Sequence, residues 1–98
     1  MIYILDEEME IVLNILKIHI NDCEVFVFGS RVKGRNKPFS DLDLAFKCKE
    51  KISLERKFNL EIAFEDSNLP YNVDVVDYNR ASENFQKIID SNSKKIFG

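Results

Sequence analysis

The sequence has few of the residues that mark disulfide-rich, metal-finger or membrane proteins. Its 98 residues include two cysteines and one histidine, and neither cysteine has a partner at metal-ligand spacing. No apolar run approaches the ~20 residues that a helix needs to span a bilayer. The formal net charge of −3 argues against broad, sequence-independent binding of nucleic acid. We therefore expect a soluble, cytoplasmic protein without membrane insertion or direct nucleic-acid binding.

Cys23 and Cys48 fall at the expected edges of two strands. They could form one disulfide, but residues 1–5 lack the positive start and small-residue cleavage site of a secretory signal. We expect both cysteines to be reduced thiols. His19 stands alone within a helical pattern, which favours an ordinary, partly buried helix residue over a metal ligand or a base.

The chain has the composition of one small globular domain, expected to span residues 1–98. Apolar residues make up 45% of it and charged residues 32%, which is ordinary for a folded protein. This length supports a single modest core and leaves no room for a separate substrate-recognition domain. The expected element order is helix, strand, short helix, strand, helix, strand, helix.

Hydrophobic periodicity places these elements along the chain. Strands are expected at about Glu24 to Phe28, Asp41 to Phe46 and Tyr71 to Tyr78. The first helix runs from Asp6, its expected cap, to about Ile20, and Ser53 caps the helix before the third strand. The expected core-facing stripes are Met9, Leu13, Leu16 and Ile20; Leu54, Phe58 and Ile62; and, in a last helix capped by Asn79 or Ser82, Ala81, Phe85, Ile88, Ile89 and Ile96. We predict an α/β or α+β sandwich with a small mixed sheet, helices on one face and the other face open.

Residues 24–46, EVFVFGSRVKGRNKPFSDLDLAF, carry the clearest chemical signal. An apolar strand breaks at Gly29-Ser30, and a basic segment then leads to a strand in which acids alternate with apolar residues. Asp41 and Asp43 therefore share one strand face, roughly 6.5–7 Å apart. Two neighbouring carboxylates repel each other, and a divalent cation removes that conflict. The pattern predicts a metal site.

Asp74 interrupts the most apolar strand in the second half of the chain. If that strand pairs beside the strand of Asp41 and Asp43, the three acids form a set of oxygen ligands suited to Mg²⁺. Asp77 lies three residues further on and hence on the opposite face, so it would replace Asp74 only if a bulge shifted the register.

The motif GSRxxG followed by SDxDL resembles the signature of the polymerase-β-type nucleotidyltransferase superfamily. The residues that carry it are Gly29, Ser30, Arg31, Gly34 and the run from Ser40 to Leu44. Over nearly its whole length the chain resembles minimal nucleotidyltransferases (MNT), small antitoxin-like proteins that occur with HEPN-domain partners. The resemblance implies the polymerase-β-like nucleotidyltransferase fold.

The resemblance also implies roles for individual residues. Asp41, Asp43 and Asp74 match the metal-binding and catalytic acids, which would hold two Mg²⁺ ions. Gly29 and Ser30 match the pair that holds the nucleotide phosphates, because glycine lets the backbone approach them closely. Arg31 and Lys33 are expected to help neutralise the triphosphate. For Lys33, Arg35 and Lys37 a solvated loop explains the charge equally well, and Ser40 is expected to bind nucleotide or simply to orient the turn.

The expected activity is Mg²⁺-dependent transfer of a nucleoside monophosphate from ATP or another NTP to an acceptor hydroxyl. The resemblance implies that the acceptor is a tyrosine of a cognate HEPN toxin, which the modification would silence. One alternative is a non-catalytic module that neutralises its partner by contact. Another is nucleotidyl transfer to a small molecule, which would need a further substrate-binding domain.

Overall fold

A four-stranded mixed sheet organises the chain in this computed structural model, which describes residues 2–98. The elements are α1 (Asp6–His19), β1 (Glu24–Phe28), α2 (Ser30–Lys33), β2 (Leu42–Lys47), α3 (Leu54–Glu65), β3 (Val73–Asp77), a 3₁₀ helix (Tyr78–Arg80), α4 (Glu83–Ser91) and β4 (Ser93–Phe97). The strand order is β3-β2-β1-β4; β1 is antiparallel to β2 and to β4, whereas β2 and β3 are parallel. The predicted mixed sheet with packed helices is confirmed.

The main core lies between one face of the sheet and the helices α1 and α3. Its fully buried members include Val12, Leu16, Ile20, Val25, Val27, Leu42, Leu44, Phe46 and Leu60. Because side chains alternate along a strand, burial of Leu42 and Leu44 on this face turns Asp43 and Ala45 to the other. The hydrophobic alternation of β2 therefore fixes which face carries the acids.

Helix α4 packs on the acid-bearing face, so the prediction that the helices cover only the opposite face is wrong. Ala45 and Phe28 form a second, smaller apolar cluster with Ile89 of α4. The rings of Phe28 and Phe85 meet edge to face, with their centroids 5.9 Å apart. Helix α4 shields the apolar residues of this face from water. The acids lie at the end of the strands that α4 does not cover.

The C-terminal segment is a strand where the sequence predicted a continued helix. Ser82 caps α4, as predicted, by accepting a hydrogen bond from the Phe85 amide, but the helix ends at Ser91. Ile96 belongs to β4, which pairs with the outer side of β1. The spacing of the apolar residues in this segment is compatible with a helix or with a short strand. The strand forms because the free edge of β1 offers backbone hydrogen bonds to it.

The apolar stripe predicted for α3 faces solvent rather than the core. Leu54, Phe58 and Ile62 are 78%, 62% and 38% exposed, whereas Leu60 and Phe64 are buried. The helix starts as predicted, because the Ser53 hydroxyl accepts from the Arg56 amide. Two stripes at four-residue spacing run along α3, and the spacing does not tell which of them the sheet will cover.

Helix α1 begins one residue earlier than predicted, and its core stripe is rotated. Leu5 is the N-cap, and its amide donates to Glu8 Oε1 (3.2 Å), so Asp6 lies inside the first turn. The buried positions are Val12 and Leu16, followed by Ile20. Within residues 2–98, no helix is long and apolar enough to cross a membrane.

Cys23 and Cys48 form a disulfide, so the prediction of two reduced thiols is wrong. Glu24 of β1 pairs with Lys47 of β2, and one step further the two cysteines stand opposite each other. Their Cα atoms are 4.5 Å apart, within the range that a disulfide requires. The antiparallel register creates this proximity, which cannot be read from a sequence separation of 25 residues.

Candidate active site

The parallel pairing of β2 with β3 brings two aspartates side by side. Asp43 and Asp74 are register partners on neighbouring strands, which lie about 4.8 Å apart in such sheets. Asp74 is exposed and Asp43 half-buried. The structure thus places the acid from residue 74 beside the acid of the DxD motif.

Asp41 lies just before β2 and is exposed. The strand begins at Leu42, whose amide donates to the carbonyl oxygen of Asn72 (2.9 Å). The sequence predicted that the strand would start at Asp41, so this acid stands on a loop at the strand's entrance. It is nevertheless close enough to Asp43 to act on its ionisation.

Asp77 lies on the opposite face of β3 and is buried. Its Oδ2 accepts from the Ile52 amide (2.8 Å) and its Oδ1 from the Asn79 amide (3.0 Å), and Oδ2 also pairs with Arg80 Nε (3.3 Å). These contacts tie the end of β3 to the segment before α3. The structure does not bring Asp77 to the other acids.

Gly29 lies directly beneath the Asp43 carboxylate. Its φ of 78° is in the region that favours glycine, and a Cβ atom added here would stand 2.3 Å from Asp43 Oδ2. The GS turn and the DxD strand are thus packed against each other without space for a side chain. A group held at the turn would lie next to the acids.

The neighbouring acids disfavour ionisation of Asp43. Burial, then the charge of Asp74, then that of Asp41 raise the pKa of Asp43 to about 6. Each of these causes disfavours the ionised form, and a cation beside the carboxylates opposes all three. A nearby cation would therefore stabilise the ionised form of Asp43.

The acids have the donor chemistry that Mg²⁺ prefers, since carboxylate oxygens are its usual protein ligands. Across residues 2–98, however, no group of three His, Cys, Asp or Glu side chains is arranged to hold a metal ion. Asp43 and Asp74 are adjacent, and Asp41 stands outside the strand. The chemistry fits a cation, with two of the three predicted ligands brought together.

Ser30 and Ser40 occupy the two turns that flank this end of the sheet. Ser30 opens α2 directly after Gly29 and is partly buried. The Ser40 hydroxyl accepts from the Lys37 amide (2.8 Å), and the Ser40 amide donates to the Lys37 carbonyl (3.1 Å). Of the two roles expected for Ser40, the structure displays the orientation of the turn before β2.

Arg31 is buried, with 3% of its surface exposed, and does not point freely toward a phosphate. Its guanidinium donates to the carbonyl oxygens of Tyr3, Pro38 and Ser40. It also lies over the Tyr71 ring, 3.9 Å from the centroid. Sequence reasoning missed this role, because the three acceptors are backbone atoms and leave no pattern of residue types.

Comparison with known proteins places the whole of this architecture in one family. Residues 6–98 match the family described as polymerase beta, nucleotidyltransferase. The chain is 45% identical over 83 residues to the probable protein adenylyltransferase MntA of Haemophilus influenzae; the aligned part is 85% of this chain and 73% of that protein. The resemblance inferred from the GSRxxG and SDxDL motifs is confirmed.

Solved structures share the fold. A toxin–antitoxin crystal structure with AMP-PNP superposes with a TM-score of 0.79 at 23% identity, covering 96% of this chain and 74% of that one. A complex of a tri-AMPylated HEPN toxin from Shewanella oneidensis with its MNT antitoxin gives a TM-score of 0.70 at 21% identity, covering 92% and 69%.

Proposed function

Because the chain belongs to the polymerase beta nucleotidyltransferase family, we propose that it transfers AMP from ATP to a tyrosine hydroxyl of a partner protein, a HEPN toxin. The Haemophilus influenzae relative is named as a probable protein adenylyltransferase, which supports AMP as the transferred group. The fold shared with MNT antitoxins in complex with HEPN toxins supports the class of partner. In this proposal the chain acts as an antitoxin.

The observation that carries the proposal is the packing of Asp43 between Gly29 and Asp74. The carboxylate lies on the Gly29 backbone and beside its register partner in β3. Phosphate groups held at the glycine turn would therefore meet the acids at once, and the exposed position of Asp74 leaves it open to an incoming hydroxyl. This arrangement suits phosphoryl-group transfer, which depends on positioning and charge stabilisation.

The reaction exchanges one phosphorus–oxygen bond for another. The acceptor oxygen bonds to the α-phosphorus while the bond from that phosphorus to the bridging oxygen breaks, and pyrophosphate leaves. Asp74 takes the proton of the hydroxyl as a general base. Asp41, Asp43 and Asp74 would hold Mg²⁺, and bound Mg²⁺ supplies positive charge against the triphosphate and activates the acceptor oxygen.

Labelled ATP tests the activity directly. The protein is incubated with [α-³²P]ATP, Mg²⁺ and the HEPN-type partner, and we expect the label on the partner. The variant carrying Asp41→Asn and Asp43→Asn should label it at least about 100-fold more slowly, because both carboxylates of the motif are gone. Asp66→Asn is the matched control, an exposed acid at the end of α3 whose loss should leave the rate unchanged.

The same samples separate catalysis from contact. Full labelling by the Asp41→Asn, Asp43→Asn variant would contradict the assignment of the acids. A partner that the variant neutralises as well as the wild type, without label, would show that contact alone suffices. Treating the labelled partner with a protease and mapping the modified residue then tests whether the acceptor is a tyrosine.

A further inference from the structure

Arg31 is a buried cation whose guanidinium donates four hydrogen bonds to backbone carbonyls. Nε and Nη2 both donate to the Ser40 carbonyl (3.2 and 2.9 Å), Nη1 donates to the Tyr3 carbonyl (2.9 Å), and Nη2 also reaches the Pro38 carbonyl (3.2 Å). None of the salt bridges within residues 2–98 involves Arg31. Three backbone carbonyls and one aromatic face thus compensate a charge that burial would otherwise penalise.

These bonds converge on the residue before Asp41. The guanidinium holds the Ser40 carbonyl with two nitrogens, and this carbonyl belongs to the peptide unit that enters Asp41. The peptide unit that leaves Asp41 is held too, because the Leu42 amide donates to Asn72. Asp41 lies outside the strand, yet its backbone is fixed on both sides.

The rest of the Arg31 environment braces the guanidinium itself. Tyr71 stacks on it and donates its hydroxyl to Glu8 Oε1 (3.0 Å), which links the stack to α1. The Tyr3 amide donates to the Arg31 carbonyl (2.8 Å), and the Tyr3 carbonyl accepts from Arg31 Nη1. Tyr3 thus binds both the backbone and the side chain of Arg31. These contacts fix the orientation of the planar Arg31 guanidinium.

We propose that Arg31 is a positioning residue that sets Asp41 for cation binding and is not a ligand of the triphosphate. The proposal builds on the function proposed above. It replaces the role expected from the motif, in which the arginine after Gly29-Ser30 neutralises phosphate. Lysine at this position keeps the charge but cannot hold three carbonyls in the plane of a guanidinium, so the two roles predict opposite outcomes for Arg31→Lys.

The affinity for Mn²⁺ can be measured without turnover, because the EPR signal of free Mn²⁺ decreases as the ion binds. We expect Arg31→Lys to weaken Mn²⁺ binding about tenfold, as loss of a residue that orients a metal ligand does. The Michaelis constant for ATP at saturating Mg²⁺ should change less than about twofold while kcat falls about tenfold or more, since a misplaced group costs turnover. Adding Arg31→Lys to Asp41→Asn should produce no further loss of Mn²⁺ affinity, because the effect passes through Asp41.

The matched control is Arg35→Lys, at an exposed arginine in the same basic segment, which should leave all three quantities unchanged. Mn²⁺ affinity of Arg31→Lys equal to that of this control, together with a raised Michaelis constant for ATP, would overturn the proposal. If Arg31→Lys does not fold, Tyr71→Leu removes the stacked ring and should weaken Mn²⁺ binding relative to Tyr71→Phe, which keeps it. Absence of transfer by the wild type would refute the proposed function, and the Mn²⁺ measurement would still decide the role of Arg31.

Discussion

At the scale of single residues, the site depends on how closely backbone and carboxylate approach each other. Gly29 and Gly34 flank α2, and both have positive φ, at 78° and 74°. Their surroundings differ, because a Cβ at Gly29 would strike Asp43 Oδ2 whereas one at Gly34 would press on the Tyr3 ring at 3.1 Å. A substitution at Gly29 therefore displaces an acid, which a substitution at Gly34 does not.

Gly29→Ala should weaken Mn²⁺ binding as well as destabilise the fold, whereas Gly34→Ala should only destabilise the fold. We expect both to lower the free energy of unfolding, measured by urea denaturation: by about 1–2 kcal/mol for Gly34→Ala, in the left-handed helical region, and by about 1–3 kcal/mol for Gly29→Ala, whose ψ of −151° lies in a region that only glycine adopts readily. Only Gly29→Ala should in addition weaken Mn²⁺ binding tenfold or more, since Asp43 has to move. Equal Mn²⁺ affinity of the two variants would contradict the close packing of turn and acid.

The raised pKa of Asp43 gives the site a pH dependence. The folded protein binds a proton more tightly than the unfolded chain between pH 3.8 and about 6, so in the absence of metal this group favours folding below that window and opposes it above. Metal binding needs the ionised carboxylate, so Mn²⁺ affinity should fall as the pH drops from 7.5 to 5.5. An affinity that stays flat across this range would contradict the assignment.

Asp43→Asn provides the matching stability measurement at pH 7.5. Without divalent cations the variant should melt above the wild type, by no more than a few degrees, because Asp43 is half-exposed and solvent screens much of the repulsion. With excess Mg²⁺ the order should reverse, because ligand binding stabilises only the wild type. Asp66→Asn should show neither effect.

At the scale of the elements, α3 presents apolar residues on two sides, and only burial distinguishes them. Phe64→Ala should lower the free energy of unfolding by about 3–5 kcal/mol, as loss of a buried aromatic side chain does. Phe58→Ala should cost less than about 1 kcal/mol, because 62% of this side chain is already exposed. Chemical denaturation of the pair measures both; similar losses would mean that the exposed stripe is covered.

The sequence predicted the elements correctly where the local residue pattern and the tertiary contacts favour the same structure. The bounds of β1 and the Ser53 and Ser82 caps are as predicted, since an apolar run before glycine and a serine before a helix have one good local solution. The predictions of the buried face of α3 and of a continued helix in place of β4 were wrong, because each outcome depends on which surface of a distant element is available. No local pattern contains that information.

The candidate site, too, could be predicted only in part from the sequence. The motif identified Asp41, Asp43 and Gly29 by residue type and spacing, and the strand order brought Asp74 to them from about thirty residues away. The arginine of the motif was assigned by its charge. Its contacts with backbone carbonyls depend on two separate segments of chain, the one that contains Tyr3 and the turn from Pro38 to Ser40, which sequence periodicity does not describe.

At the scale of the whole molecule, the Cys23–Cys48 disulfide closes a loop that contains the GS turn and the DxD motif. A crosslink over 25 residues stabilises the folded state by about 3 kcal/mol through the entropy of the unfolded chain. Reduction with dithiothreitol should lower the free energy of unfolding by that order, measured by urea denaturation. Thiol titration of the unfolded, unreduced protein should find no free thiol; two free thiols and no effect of the reductant would contradict the disulfide.

The position of Asp74 on β3 has a consequence for how the protein behaves at high concentration. β3 and β4 are the outer strands of the sheet, and outer strands invite pairing with other chains unless charge prevents it. Exposed Asp74 on one border and exposed Lys94 and Lys95 on the other place such charges there. Neutralising Asp74 would remove one of these charges, so light scattering should accompany any assay of such a variant.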